Sequence, residues 1–115
     1  MSELPTVPSK SAVSAHRAAL LLPLVLVADA DADSRLRRAR QLQRRGFRVT
    51  LARTAFETIV KASCHVPDAI VLDDSLGDIG VQDAFELLST CPATSHIPIV
   101  RVKAGRPLPK RIQQR

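Results

Sequence analysis

Aromatic residues are almost missing from this sequence: its 115 residues include three Phe and neither Trp nor Tyr. Any hydrophobic core must therefore be aliphatic, built from Leu, Val, Ile and Ala. The hydrophobic share of 45% is typical of a globular protein, and the length indicates one domain. The shortage of aromatic rings also argues against nucleic-acid recognition by base stacking.

Cysteine is scarce as well, and Cys64 and Cys91 are too far apart to indicate a disulfide framework. We expect two free thiols in a reducing cytosol. A metal site built from Cys64, His65, Cys91 and His96 would lack the CxxC or HxxxH spacing of such sites. No recognisable nucleophile turn occurs either, so we expect that the protein is not an enzyme.

No long hydrophobic segment indicates a membrane span. The apolar run at 18–28 follows Lys10 and Arg17, and taken alone it resembles a secretory signal. This run is too short to cross a bilayer. Its second half is also needed as a strand of the fold predicted below. We therefore expect a cytoplasmic protein without a membrane segment.

The two ends of the chain differ in composition from its middle. Residues 1–22 are predicted to form a flexible tail with a short helix at 11–22, where helix formers precede Pro23. Residues 105–115 contain Pro107, Pro109 and four basic residues, and they are predicted to form a solvated basic tail. The domain itself is predicted at 23–104.

Within 23–104, aliphatic runs alternate with amphipathic segments. The runs predict strands at 24–28, 48–52, 69–72 and 97–102. Helices are predicted from an Asp33 or Ser34 cap to Arg45, from a Thr54 cap to a point before Pro67, and at 83–90. The residues expected to face inward are Leu36, Ala39 and Leu42, then Ala55, Ile59 and Ala62, and finally Ala84, Leu87 and Leu88. The alternation predicts an α/β fold, a doubly wound sheet of four parallel strands with helices on both faces.

Acidic residues follow two of the predicted strands, with Asp29 and Asp31 after the first and Asp73 and Asp74 after the third. Ligands of such sheets bind at the carboxyl ends of the strands, where the strand order reverses. If the two strands are neighbours, the carboxylates converge and Mg2+ would relieve their repulsion. A carboxylate beside that cation can accept a phosphoryl group. The alternative is that these acids are only soluble turn formers.

Five segments together resemble the receiver domain of bacterial response regulators, over residues 24–104. They are VLVADADADSR at 25–35, GFRV at 46–49, PDAIVLD at 67–73, FELL at 85–88 and IPIV at 97–100. The resemblance implies a flavodoxin-like fold, with Asp73 as phosphoacceptor and a histidine kinase as phosphodonor. It also implies a Mg2+ site formed by Asp29, Asp73 and the backbone carbonyl of Ser75.

The sequence departs from the receiver pattern at several positions. The second acid of the metal-binding pair falls on Ala30, and Asp31 can replace it only if the turn shifts. Lys103 stands at the switch position of a Ser or Thr, where its ammonium group could pair with Asp73. The loop after Asp73 lacks the usual proline and is longer. The final strand and helices of the family have no counterpart, and Lys110 cannot be assigned to the lysine that the missing strand carries.

Three functions remain open at this point. A phosphate-independent protein-interaction module fits these departures best, and a phosphorelay receiver phosphorylated at Asp73 is the alternative. The third is nucleic-acid binding, for which the net charge of +6 and the arginines of one predicted helix provide a basis. These arginines are Arg35, Arg37, Arg38, Arg40, Arg44 and Arg45. We do not expect specific DNA binding, because no helix-turn-helix pattern is present.

The missing elements also predict an exposed edge at the fourth strand, with one apolar face left open. We expect either the segment 12–22 or a second copy in a homodimer to cover it.

Overall fold

The computed structural model describes residues 21–113 of the chain. Four strands and three helices alternate in it. They are β1 (Leu24–Ala28), α1 (Ala32–Arg44), β2 (Arg48–Ala52), α2 (Ala55–His65), β3 (Ala69–Asp73), α3 (Val81–Thr90) and β4 (Ile99–Val102). The tail and helix predicted at 1–22 lie outside the described residues, except for the last two positions. Within residues 21–113, no helix has both the length and the apolar character that a bilayer crossing requires.

The four strands form one parallel sheet in the order β2-β1-β3-β4. The chain leaves β1 on one side to form β2, and then crosses back to form β3 on the other side. Strand order therefore reverses between β1 and β3, and Asp29 and Asp73 lie at the carboxyl ends of these strands. This is the flavodoxin-like, doubly wound, four-stranded sheet that the sequence predicts.

The helix boundaries follow from their caps. The N-cap of α1 is Asp31, whose side chain accepts a hydrogen bond from the Ser34 amide, so the helix begins earlier than predicted. Thr54 caps α2 as predicted. This helix ends at Val66, which adopts a left-handed conformation with φ of 43° directly before Pro67. The third helix begins two residues before its predicted start at Asp83.

One face of the sheet packs against α2 and α3. The buried strand residues there are aliphatic, among them Leu26, Ile70 and Leu72. Small residues of the helices, such as Ala62 and Ala84, let the helices approach the sheet closely. The prediction that Leu87 of α3 faces inward is wrong, because its side chain is 50% exposed. The neighbouring Leu88 is buried as predicted.

The other face packs against α1. Its buried residues include Val25 and Val27 of β1, which lie in one cluster with Leu42. The prediction for Leu36 was wrong, because its side chain is 46% exposed. The buried stripe of α1 runs through Ser34, Arg38, Ala39 and Leu42, and it therefore leaves Leu36 on the opposite side.

The segment 105–113 covers the remainder of this face, and the prediction of a solvated tail is corrected there. Leu108 and Ile112 are 7% and 6% exposed, and they pack in the same cluster as Val71 and Val102. The reason is that α1 does not cover the apolar surface of β3 and β4, so burying two further aliphatic side chains removes that surface from water. The strand β4 remains an edge of the sheet, as predicted.

We expect the substitution Leu108→Ala to lower the free energy of unfolding by about 2 kcal/mol, because it removes buried apolar surface and leaves a cavity. The matched control is Leu36→Ala on the exposed side of α1, where a change within about 0.5 kcal/mol is expected. Urea denaturation of both variants at low protein concentration measures the difference. Equal stability of the two would mean that the segment 105–113 does not pack as described.

Candidate functional site

Two buried carboxylates meet where the strand order reverses. Asp29 follows β1 and is 1% exposed, while Asp73 ends β3 and is fully buried. A buried charge is strongly unfavourable unless an opposite charge and hydrogen bonds compensate it. The site must therefore contain a cation or a proton shared between the two groups.

The cation is the guanidinium group of Arg38, a residue of α1 whose side chain is 3% exposed. Its Nη1 atom donates a hydrogen bond to Oδ2 of Asp29 at 3.1 Å and another to Oδ2 of Asp73. One nitrogen thus bridges both carboxylates. The three residues form a buried ion-pair triad that joins α1 to β1 and β3.

The other terminal nitrogen of Arg38 binds the backbone beyond β4. Its Nη2 donates to the carbonyl oxygens of Lys103 at 3.2 Å and of Arg106 at 2.9 Å. The side chain of Lys103 is exposed, and in the described part of the chain it makes neither an ion pair nor a hydrogen bond with Asp73. The expected pairing of Lys103 with Asp73 is therefore corrected: Arg38 takes that role, and Lys103 contributes only its carbonyl group.

Ser75 connects the two carboxylates on the side away from Arg38. Its amide donates to Oδ1 of Asp73 at 2.7 Å, and its hydroxyl donates to Oδ1 of Asp29 at 3.2 Å. The same hydroxyl oxygen accepts a hydrogen bond from the amide of Ala30 at 3.0 Å. The structure thus brings together Asp29, Asp73 and Ser75, the three residues that the resemblance assigns to the metal site.

Asp31 does not join this group. Its carboxylate accepts a hydrogen bond from the Ser34 amide at 2.8 Å and caps α1, while its own amide donates to Oδ1 of Asp29 at 2.9 Å. The turn has not shifted in the way that would let Asp31 replace the acid missing at position 30. Its amide nevertheless helps to satisfy the buried Asp29.

The pKa of Asp73 lies below its ordinary value. Burial of the carboxyl group raises the pKa, but hydrogen bonds from Ser75 and Arg38 and the positive charge of Arg38 together outweigh this effect. The group is therefore ionised at neutral pH. Its charge is compensated inside the protein.

The loop after β3 is held in place at the start of α2. The carboxylate of Asp78 accepts hydrogen bonds from the amides of Ala55 at 2.8 Å and Phe56 at 3.0 Å. These bonds stabilise the charged form and hold the pKa of Asp78 below its ordinary value. The anchored loop keeps Ser75 beside the two buried carboxylates.

The residues present do not fit a Mg2+ ion. Such an ion needs near-octahedral oxygen ligands at about 2.0–2.1 Å. The Oδ2 atoms of both carboxylates are bound to Arg38, position 30 is an alanine, and Asp31 caps a helix. In residues 21–113, no group of three or more His, Cys, Asp or Glu side chains is arranged to hold a metal. Cys64 and Cys91 are exposed free thiols, as the sequence predicts.

Three of the six arginines considered for nucleic-acid contact bind the protein itself. Arg38 is buried in the site, Arg35 donates to the Asp29 carbonyl at 2.8 Å, and Arg45 donates to the Pro109 carbonyl at 2.8 Å. Of the six arginines, Arg38 is therefore not accessible for nucleic-acid contact. Arg37, Arg40 and Arg44 remain exposed along α1.

Arg38 is the functional residue that the sequence interpretation missed. A signal for it exists, because Arg38 precedes Leu42 by four residues and adjoins Ala39, so it belongs to the stripe predicted to face inward. An arginine on a buried stripe requires acidic partners. Asp29 and Asp73 were already placed at the same end of the sheet.

Solved structures, and not sequence families, provide the similarity of this chain to known proteins. No family model matches the chain, and no curated protein is significantly similar to it in sequence. Solved receiver structures are similar. The N-terminal domain of a response regulator receiver protein from Methanoculleus marisnigri JR1 has a TM-score of 0.69 and 26% identity, with 77% of this chain and 72% of that chain covered.

Two further structures are similar at lower identity. A sensor protein from Polaromonas sp. JS666 has a TM-score of 0.69 and 22% identity, covering 72% of this chain and 66% of that chain. The chemotaxis response regulator CheY4 of Vibrio cholerae has a TM-score of 0.66 and 21% identity, covering 70% of this chain and 67% of that chain. The chain therefore has a receiver-domain-like fold, as its sequence resemblance implies.

We expect Arg38→Met to lower the free energy of unfolding at pH 7 by about 3–5 kcal/mol, because two buried carboxylates lose their cation. The exposed Arg44→Met on the same helix is the control, with an expected change within about 0.5 kcal/mol. Adding Asp73→Asn to Arg38→Met should restore part of the loss, since one uncompensated charge is removed. Chemical denaturation measures all three variants, and equal stability of the two methionine variants would contradict the role of Arg38.

The lowered pKa of Asp73 also predicts how stability depends on pH. A depressed pKa in the folded state stabilises the protein above the ordinary pKa of the group, and this contribution is lost as the pH falls through the folded-state pKa. The wild type should therefore lose stability below about pH 4. Asp73→Asn should show a shallower decrease in denaturation experiments over the same range, and identical slopes would contradict the prediction.

Proposed function

We propose that this chain, which has the fold of a response regulator receiver domain, is a signal-transduction module that binds a partner protein without phosphate chemistry. The observation that carries the proposal is the bridge from Arg38 to both Asp29 and Asp73. We further propose that it has no enzymatic activity of its own. We place it in the cytoplasm, where its exposed thiols would stay reduced.

The first argument concerns the charge of the site. The resemblance implies that a receiver holds an exchangeable cation between its carboxylates. Arg38 supplies the positive charge from a side chain held by four hydrogen bonds, two to carboxylates and two to backbone carbonyls. Because this cation is covalently part of the protein, the site keeps one electrostatic state whatever the concentration of Mg2+.

The second argument concerns the accessibility of Asp73. Its Oδ1 atom accepts from the Ser75 amide, its Oδ2 atom accepts from Arg38, and the side chain is fully buried. A carboxylate attacks a phosphodonor through an oxygen that is free to approach it. Attack by Asp73 would require the release of one of these bonds and the opening of the site.

The third argument concerns the transmission of a signal. The switch position holds Lys103, whose side chain is exposed and has no hydroxyl group to follow a phosphoryl group. Its backbone carbonyl is instead bound by Arg38. The end of β4 is therefore fixed in the unmodified protein, which supports a constant surface for a partner.

A phosphorelay receiver is the second candidate, and the convergence of Asp29, Asp73 and Ser75 favours it. In that function a histidine kinase would phosphorylate Asp73, and Mg2+ would bind to these residues after Arg38 had moved away. The two candidates therefore differ in whether Arg38 leaves the carboxylates in the wild-type protein.

We expect no saturable Mg2+ binding to the wild type by NMR or calorimetry, and no phosphoryl adduct by intact mass after treatment with acetyl phosphate. The physical reason is that Arg38 holds the carboxylate oxygens that both reactions need. Arg38→Gln keeps a hydrogen-bond donor but removes the charge, so any Mg2+ binding that the two carboxylates alone can support should be detected in this variant and not in the wild type. Asp73→Asn is the control for the site of any adduct. A wild-type adduct that disappears in Asp73→Asn would overturn the proposal in favour of the phosphorelay receiver.

A further inference from the structure

The exposed side of α1 carries a basic patch, which we define as Leu36, Arg37, Arg40 and Arg44. These side chains line one shallow depression, with Asp33 at its edge. Leu36 is 46% exposed, and the three arginines are exposed. In residues 21–113, none of these three arginines forms an ion pair. The patch therefore combines an exposed aliphatic side chain with three positive charges, which outnumber the single negative charge of Asp33 beside them.

A second surface has the opposite charge. This acidic groove is defined by Ile79, Asp83, Glu86 and Leu87, with Thr90 at its end. Ile79 is 40% exposed and Leu87 is 50% exposed. Asp83 and Glu86 make no ion pair within the described part of the chain, although Glu86 accepts a hydrogen bond from Gln82 at 3.1 Å.

The two surfaces match in composition and spacing. Each offers at least one exposed aliphatic side chain, one in the patch and two in the groove, beside charges of one prevailing sign. Arg37 and Arg40 are three residues apart on α1, and Asp83 and Glu86 are three residues apart on α3. Both pairs therefore present their charges slightly less than one helical turn apart, about 4.5 Å along the axis. Two arginines can face two carboxylates while the aliphatic side chains pack beside them.

The two surfaces cannot meet within one molecule. The helix α1 packs on the face of the sheet that contains Val25 and Val27, and α3 packs on the face that contains Leu26 and Leu72. Contact between basic patch and acidic groove therefore requires two copies of the chain. Because the two surfaces differ, such a contact is heterologous. A row of associated copies therefore keeps a free basic patch at one end and a free acidic groove at the other.

We propose that copies of this chain associate head to tail, with the basic patch of one copy docked on the acidic groove of the next. The proposal goes beyond the proposed function and does not depend on whether Asp73 reacts with phosphate. One helix-to-helix contact buries less surface than a stable dimer needs, so the association is weak and depends on protein concentration. Exposed ion pairs contribute to it, so high salt weakens it.

The test uses the full chain and two variants that neutralise one surface each. The first is Arg37→Gln/Arg40→Gln, and the second is Asp83→Asn/Glu86→Gln. Both change exposed residues that lie outside the buried site, and the acidic substitutions also keep side-chain size. The control is Lys110→Gln/Arg111→Gln, which removes two exposed positive charges elsewhere. Circular dichroism checks that all of them fold.

Sedimentation velocity across a range of concentrations at low ionic strength measures the association. The mass of the wild type and of the control should rise with concentration beyond that of a dimer. Each neutralised variant alone should associate on the order of tenfold more weakly. An equimolar mixture of the two variants keeps one intact patch and one intact groove, so it should form a one-to-one dimer and stop there.

Three results would overturn the proposal. The first is a wild type that stays monomeric at every concentration. The second is wild-type association that neither variant weakens, or a mixture of variants that does not form the dimer. The third is a monomeric wild type whose salt-dependent retention on DNA is lost in Arg37→Gln/Arg40→Gln, because it would assign the basic patch to nucleic acid.

Discussion

Two carboxylates that are buried at the same end of a sheet repel each other, and the structure depends on how this repulsion is compensated. Asp29 and Asp73 are brought together by the reversal of strand order between β1 and β3. Arg38 places one guanidinium nitrogen between them. A buried ionic cluster of this kind stabilises the fold only while all its members are present, since loss of one member leaves an uncompensated charge.

The same guanidinium group connects electrostatics with packing. Its second terminal nitrogen binds the carbonyl groups of Lys103 and Arg106, which flank the end of β4 and the start of the segment 105–113. That segment then buries Leu108 and Ile112 against β3 and β4. The hydrogen bonds from Arg38 therefore hold the chain after β4 against the open face of the sheet, where apolar surface would otherwise remain in water. The ionic cluster and this part of the hydrophobic core support each other.

The bridge by Arg38 shows that the fold of this chain and the chemistry of its site have to be considered separately. The backbone places an acid after β1, an acid at the end of β3 and a polar loop beside them, the arrangement that the sequence resemblance implies. The side chains then fill the space between the acids with a permanent cation. A shared fold does not imply a shared reaction, because the reaction depends on the particular side chains of the site. For this chain, the proposed phosphate-independent role rests on the bridge from Arg38 to Asp29 and Asp73.

The sequence by itself determined the alternation of strands and helices, since aliphatic runs such as 69–72 and caps such as Thr54 are local signals. It placed Asp29 and Asp73 at the carboxyl ends of parallel strands, where they converge if those strands are neighbours; the tertiary structure decided that β1 and β3 do pair. Only the tertiary structure decided the partner of Asp73, which is Arg38 and not Lys103, the candidate that the sequence offered. It likewise decided that Leu36 faces outward and that Leu108 and Ile112 are buried. These outcomes depend on contacts between residues far apart in the chain, and helical periodicity cannot tell which neighbouring surface remains to be covered.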